Sequence, residues 1–231
     1  MIFHVLTIFP ELFHGFIEHG VVGRAVKRGL LSVKLHNLRD WTSDRHKTVD
    51  DRPFGGGEGM LLKPEPVFTA VESILPDRGP KTTVILLSAQ GRLFDQEAAH
   101  RFSQQEEILL ICGRYEGVDE RVAEHLANEE VSIGDYVLSG GELGAAVVMD
   151  AVGRLVPGVV GNADSTVWES FRKDGETGGV LLDCPQFTRP AEFRGWRVPE
   201  VLLGGNHEEI RQWRLRTARE KTARNRPDLV K

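Results

Sequence analysis

Three short apolar segments of this chain each lead into a loop rich in glycine or serine. The first is Thr82–Leu87, the second is Glu107–Cys112, and a third strand is predicted around Val131–Ile133. Helix-like segments follow the loops, and strands that alternate with helices predict a parallel sheet covered on both faces. The expected fold class is therefore α/β.

The remaining elements follow from hydrophobic periodicity. Two further strands are predicted at Ile2–Ile8 and Leu31–Leu38, where the second alternates apolar and polar residues. The predicted helices are Glu11–Arg28 (broken near Gly20), Pro64–Leu75, Asp95–Gln104, Val118–Leu126, Glu142–Leu155 and Glu208–Arg224.

The amino-acid composition of the chain changes after Pro157. Residues 158–179 are rich in Gly, Asp, Ser and Thr, which is typical of a connection between domains, although its length indicates more than a simple linker. We predict a sheet domain at 1–158, a linker at 159–179 and a small, basic, mainly helical domain at 180–231.

Charge is unevenly distributed along the chain. The formal net charge is only -5, but residues 116–150 hold nine carboxylates against one base, Arg121, and residues 206–231 hold eight bases against four acids. Basic flanks around an acidic middle fit contact with a polyanion at the ends of the chain, and they equally fit solvated helix faces.

The chain is expected to be cytoplasmic. Its two cysteines, Cys112 and Cys184, cannot form a disulfide framework, and Cys112 lies in an apolar run typical of a buried thiol. Neither a signal peptide nor an apolar run long enough to span a bilayer is apparent, so no membrane partner is predicted. No zinc-ligand spacing occurs.

The three loops predict a ligand site, because ligands bind at the carboxyl ends of strands in open α/β sheets. The loops match neither the dinucleotide fingerprint nor the P-loop pattern. Only Arg92 and Arg114 are nearby cations, whereas Glu116, Asp119, Asp135 and Glu142 are acidic. Phosphates are therefore disfavoured, and S-adenosylmethionine, which carries a sulfonium and an adenosine without phosphates, fits well.

The same residues resemble a known family, the bacterial tRNA (guanine-N1)-methyltransferases of the knotted, SPOUT-class, S-adenosylmethionine-dependent RNA methyltransferases. The resemblance covers essentially the whole chain. The motifs that carry it are Thr7–Phe13, Asp50–Met60, Gly113–Asp119, Ser132–Glu142, Leu181–Pro190 and Gly205–Ile210.

This resemblance implies a deep trefoil knot between about Leu86 and Leu138, with the methyl donor bound in it. It also implies a homodimer in which the partner chain completes each active site. The implied donor-binding residues are Leu86, Leu87, Ser88, Gly91, Gly113, Tyr115, Glu116, Gly117, Ser132, Ile133, Gly134, Asp135, Tyr136, Val137, Leu138, Gly140 and Gly141.

The resemblance further implies a carboxylate base in the linker and an assisting arginine before it. Arg154 matches the arginine, and Glu169 stands where the family usually has aspartate. Glutamate keeps the chemistry but moves the carboxylate by about a bond length, which matters for base geometry. Asp164 and Asp174 are rival bases. A magnesium ion, as used in the family, would lie near Glu116 and Glu169.

The implied activity is S-adenosylmethionine-dependent methylation of N1 of the guanine 3′ of the anticodon, at position 37 of tRNA. The basic C-terminal domain would hold tRNA phosphates, and Trp213 either packs its helix or stacks on a base. Two alternatives remain: a methyltransferase of the same fold with another RNA target, and a non-catalytic RNA-binding protein.

Overall fold

The computed structural model describes residues 1–161 and 169–230, and the chain divides into two units, Met1–Gly161 and Asn162–Lys231. The first unit contains seven strands: β1 (Ile2–Thr7), β2 (Ser32–Asn37), β3 (Asp50–Asp51), β4 (Leu61–Leu62), β5 (Thr82–Leu93), β6 (Glu107–Cys112) and β7 (Glu129–Ser132). Five of them form a parallel sheet in the order β2-β1-β6-β5-β7, while β3 and β4 form a separate antiparallel pair. The predicted α/β class and its parallel sheet are confirmed.

Six α-helices belong to the described part of this unit. Their bounds lie within a few residues of the predicted ones: α1 (His14–Glu18), α2 (Gly20–Lys27), α3 (Pro64–Ile74), α4 (Gln96–Phe102), α5 (Glu120–His125) and α6 (Glu142–Gly153). Short 3-10 turns at Pro10–Phe13 and Leu38–Trp41 continue the chain after β1 and β2.

Both faces of the sheet are buried, as the uninterrupted apolar strands require. Successive residues of β6 point to opposite faces, so Ile108 and Leu110 pack on one side and Leu109 and Ile111 on the other. Residues of α2, α4 and α6 cover the first face, and residues of α3 and α5 cover the second. The sheet therefore holds the carboxyl ends of β5, β6 and β7 side by side at one edge of a rigid core.

Strand β5 differs from its prediction, which ended it at Leu87. Its residues Ile85–Leu87 pair with β7, the chain then leaves the sheet at residues 88–91, and pairing resumes at Arg92. Leu87 and Arg92 both lie opposite Val131, so the four residues between them bulge out of the register. The glycine that was read as the end of a strand instead permits a detour within one.

The described part of the second unit contains two antiparallel pairs and one long helix. The pairs are β8 (Arg172–Lys173) with β9 (Val180–Leu181) and β10 (Glu192–Phe193) with β11 (Trp196–Arg197). Helix α7 (His207–Asn225) begins where the Asn206 side chain accepts hydrogen bonds from the backbone of Glu208 and Glu209. Residues 172–173, within the stretch predicted as a linker, thus form a strand.

Candidate functional site

A cavity of about 210 Å³ opens at the carboxyl ends of β5, β6 and β7. Three loops form its walls: the bulge at residues 88–91, the turn at 113–117 after β6, and the segment 133–141 between β7 and α6. This is the position at which open parallel sheets bind ligands. One open cavity, lined by three separate loops, is therefore built directly on the sheet.

Fifteen of the seventeen predicted donor-binding residues line this cavity, and Gly91 and Asp135 are not among its lining residues. The lining also includes residues that sequence reasoning did not select. They are Ala89, Gln90, Arg114, Val118, Glu120, Ala123, Glu130, Val131 and Gly144. Most of these are sequence neighbours of the predicted residues. The loop motifs therefore locate the cavity, but they do not give its complete set of lining residues.

Gly91 has a packing role instead. A Cβ at this position would overlap with the backbone of Glu130 and Val131 in β7. Only glycine lets β5 return to the sheet directly after the bulge. Gly91 therefore shapes the wall of the cavity by fixing where the loop at residues 88–91 ends.

A buried ion pair ties the loops of the cavity together. The Glu142 side chain, 3% exposed at the start of α6, accepts hydrogen bonds from Arg114 Nε to both carboxylate oxygens (3.1 and 2.9 Å) and from Thr7 Oγ1 (2.6 Å). Arg114 also donates to the carbonyl of Ser139 (3.2 Å), and its guanidinium lies 4.6 Å from the centre of the Phe9 ring. We call Thr7, Arg114 and Glu142 the clamp.

The clamp works only because the chain at residues 140–141 lacks side chains. Arg114 and Gly140 form an isolated antiparallel bridge, and the Gly141 N–H donates to the Gly113 carbonyl (2.9 Å). A Cβ on Gly140 would overlap with the Arg114 side chain and approach the carboxylate of Glu142. These two glycines therefore bring the second and third walls of the cavity into direct contact.

The segment that follows Asp50–Asp51 supports the second wall from outside. The Glu116 N–H donates to the Met60 carbonyl (3.0 Å), and the Leu62 N–H donates to the Gly117 carbonyl (3.0 Å). The Asp119 N–H in turn donates to the Leu62 carbonyl (3.0 Å). The turn at 113–117 is consequently held by backbone hydrogen bonds on the side away from Gly140.

The electrostatics of the cavity disfavour a phosphate ligand. Among the residues that the structure describes, Arg114 is the only arginine that lines it, and its charge is paired with Glu142, while Glu116, Glu120 and Glu130 also line it. Burial raises the pKa of the Cys112 thiol well above its usual value, which leaves this cysteine protonated and unreactive. The cavity thus suits a neutral or cationic ligand.

The candidate catalytic residues occupy both units. Arg154 directly follows α6 in the first unit, and Glu169 is half-buried in the second. Asp164 lies outside the described residues. Asp174 is 3% exposed and accepts two hydrogen bonds from Arg219 (2.9 Å each), which hold the pKa of its carboxyl well below the usual range.

The described residues also bear on which cofactors and partners the protein can have. Residues 1–161 and 169–230 contain no group of three or more His, Cys, Asp or Glu side chains arranged to hold a metal ion. Within the same ranges, every helix is too short or too polar to cross a membrane.

Comparison with known proteins decides the family. The family model described as tRNA (Guanine-1)-methyltransferase TrmD matches residues 1–231. The chain belongs to the tRNA (guanine-1)-methyltransferase family.

Similar members of the tRNA (guanine-1)-methyltransferase family are all named tRNA (guanine-N(1)-)-methyltransferase. The protein of Koribacter versatilis is 56% identical over 98% of this chain and 90% of its own length. That of Persephonella marina is 55% identical over 100% and 88%, and that of Geobacter metallireducens is 51% identical over 100% and 91%. The resemblance inferred from the sequence motifs is confirmed.

Proposed function

We propose that this protein transfers a methyl group from S-adenosylmethionine to N1 of the guanine 3′ of the anticodon, at position 37 of tRNA. Membership of the tRNA (guanine-1)-methyltransferase family supports this activity over a non-catalytic RNA-binding role and over another RNA target. The donor, when bound, supplies an electrophilic methyl group, and the protein has to hold it, orient the guanine and accept the N1 proton.

The observation that carries the proposal is the charge of the cavity. The one arginine among its described lining residues is paired with Glu142, and three other carboxylates line the same space. A sulfonium is stabilised by such surroundings, whereas a di- or triphosphate is repelled. Gly113 and Gly141 carry no side chains at the wall, so an adenosine can approach the backbone closely there.

For the chemistry, we assign the base to Glu169 and the assisting cation to Arg154. A carboxylate that accepts the N1 proton raises the nucleophilicity of the guanine, and a cation near O6 stabilises the charge that develops on the ring. The rival Asp174 is less suitable, because Arg219 holds both of its oxygens and lowers its pKa. A magnesium ion lacks a ligand set among the described residues, so no step depends on it.

The activity can be tested directly with tritiated S-adenosylmethionine. We expect label to be transferred to a tRNA transcript with guanine at positions 36 and 37, and the product to contain 1-methylguanine at position 37. A matched transcript with adenine at position 37 is the control. Donor binding by calorimetry without labelling of the first transcript would refute the proposed function.

The base assignment makes a separate prediction. Glu169→Gln should reduce kcat by about 10²- to 10⁴-fold, the usual contribution of a general base, and leave the donor Kd unchanged. Asp174→Asn is the matched control and should keep kcat at temperatures where the second unit stays folded. A fully active Glu169→Gln variant together with an inactive Asp174→Asn variant would reverse the assignment.

We further propose a homodimer in which the active site is shared between chains, a trefoil knot around the cavity, and a cytoplasmic location. Exposed Leu12, Leu143 and Val147 support the dimer, since they leave large apolar side chains of the first unit uncovered. The convergence of three loops on one cavity supports the knot, and two buried free cysteines support a reducing compartment.

A further inference from the structure

The second unit contains a cavity of its own, with a volume of about 380 Å³. One wall consists of Phe187 and Trp213, whose ring centres lie 6.3 Å apart at an interplanar angle of 53°. Leu202 and Ile210 contribute apolar surface. We call this the aromatic pocket. Its volume lies within the range of small-ligand sites.

The aromatic pocket is open to solvent and is not a packing void inside a hydrophobic core. Phe187 is 49% exposed, and Arg189, which also lines the pocket, is exposed as well. Arg214 of α7 completes the cationic part of the lining. Neither guanidinium forms a salt bridge with any residue that the structure describes. A large aromatic face and two uncommitted cations thus face the same open space.

The chemistry of the lining indicates a nucleotide. No aspartate or glutamate of the described part of the chain lines the pocket, in contrast to the cavity on the sheet, so its charge favours an anion. An unpaired base stacks on aromatic faces, and arginine binds phosphate through paired N–H donors. Thr188 can hydrogen-bond the edge of such a base.

We propose that the aromatic pocket binds an unpaired nucleotide of the tRNA substrate other than the guanine that is methylated. The base lies against Phe187, and its phosphate is held by Arg189 and Arg214. This inference rests on the proposed function, since it takes tRNA as the partner. The second unit would then bind a nucleotide of a tRNA loop in addition to the phosphates of the tRNA backbone.

The test compares Phe187→Leu with Phe187→Tyr in the full-length protein. Leucine keeps the apolar volume but removes the stacking face, and tyrosine keeps that face. Base–aromatic stacking contributes enough that Phe187→Leu should raise the Kd for an anticodon stem-loop RNA by about 5- to 150-fold. Phe187→Tyr should bind like the original protein, and the donor Kd should stay unchanged in both variants.

Phe193→Leu is the matched control. Phe193 is also exposed, at 56%, but it does not line the aromatic pocket, so its replacement should change the Kd for RNA by less than about twofold. A spectroscopic readout distinguishes stacking from a general loss of folding. A 2-aminopurine placed at one unpaired loop position should lose fluorescence on binding to the original protein and keep it with Phe187→Leu.

Three outcomes would overturn the inference. One is an unchanged Kd for Phe187→Leu, and another is equal weakening by Phe187→Leu and Phe193→Leu. The third is a Phe187→Leu protein that loses its dimer on sedimentation, which would assign the pocket to a second copy of this chain. If the original protein binds the stem-loop with quenching but methylates no tRNA, the proposed function fails while the pocket stands.

Discussion

At the level of single residues, the buried carboxylate of Glu142 is the most consequential group that the loop motifs do not explain. It joins Thr7 at the end of β1 to Arg114, which is 107 positions further along the chain and lines the cavity. A buried charge that keeps its partners is tolerated, but it becomes costly when one partner loses its charge.

We therefore predict that Glu142→Gln lowers both stability and donor binding. The uncompensated Arg114 charge should reduce the free energy of unfolding by about 3 kcal/mol and raise the donor Kd by roughly tenfold. Thermal unfolding and calorimetry measure the two effects. Glu97→Gln, at an exposed position of α4, is the control. Unaltered donor affinity in a destabilised protein would mean that the clamp serves the fold alone.

The sequence singles out Gly140 and Gly141, which bring the walls beside the clamp into contact, but it identifies Arg114 and Glu142 only as loop charges and not as a pair. Gly140 and Gly141 are visible as a motif because a close approach leaves a local signature in the sequence. The pairing of Arg114 with Glu142 has no local sequence signature, because it depends on how two loops contact each other in the fold. The ion pair of Asp174 could not be predicted for the same reason, because its partner Arg219 lies 45 residues away in the sequence.

At the level of elements, three strands are linked through a buried polar contact. His4 of β1 is 3% exposed, lies 2.8 Å from a Glu107 oxygen of β6 and 2.9 Å from a ring nitrogen of His36 of β2. The two imidazole rings stack at 5.1 Å. Burial lowers the pKa of both histidines, to about 4 for His36, and the neighbouring charge of Lys34 adds to this effect.

This arrangement predicts acid sensitivity. Between pH 6.5 and about 4 the unfolded chain binds protons that folded His36 does not, so the free energy of unfolding falls as the pH falls. We expect a loss on the order of 1–2 kcal/mol over this window, measured by urea unfolding at several pH values. His36→Gln should flatten the dependence, and His125→Gln, at an exposed position, should not. An unaltered slope in His36→Gln would contradict the prediction.

The bounds of α5 and β5 show how far hydrophobic periodicity predicts where a helix or strand begins and ends. Helix α5 was expected from Val118 but begins at Glu120, because Asp119 caps it and the backbone at 117–119 is bonded to Leu62. The residues of β5 beyond Leu87 were read as a loop because four of them leave the register before pairing resumes. Both errors come from long-range backbone pairing, while the apolar cores of the same elements were located correctly.

At the level of the whole molecule, the apolar surface of the first unit makes its own prediction. Leu143 and Val147 lie four residues apart on one face of α6 and are exposed, and Leu12 is exposed after β1. If this face joins two chains, Leu143→Lys should convert a dimer to a monomer at micromolar concentration and abolish methylation. Analytical ultracentrifugation measures this. Leu93→Lys, at a similarly exposed leucine, should remain dimeric.

A monomeric, active original protein would contradict the shared active site, and a dimeric, active Leu143→Lys variant would contradict the placement of the interface on this face. The sequence could not supply this level of description, because an exposed leucine and a buried one look the same in a helical pattern. The predicted domain bounds stay a prediction; the change in composition on which they rest, near residue 158, lies close to the division of the chain at Gly161.

The detour in β5 separates two kinds of position near the cavity. Gly91 and Arg92 are fixed by β7, whereas Ala89 and Gln90 are exposed and stand outside the pairing register. Side chains at 89 and 90 can therefore change in size without moving a strand. An enzyme engineered to accept donor analogues with bulkier transferable groups would best be sought by varying these two positions while the strand on either side is left intact.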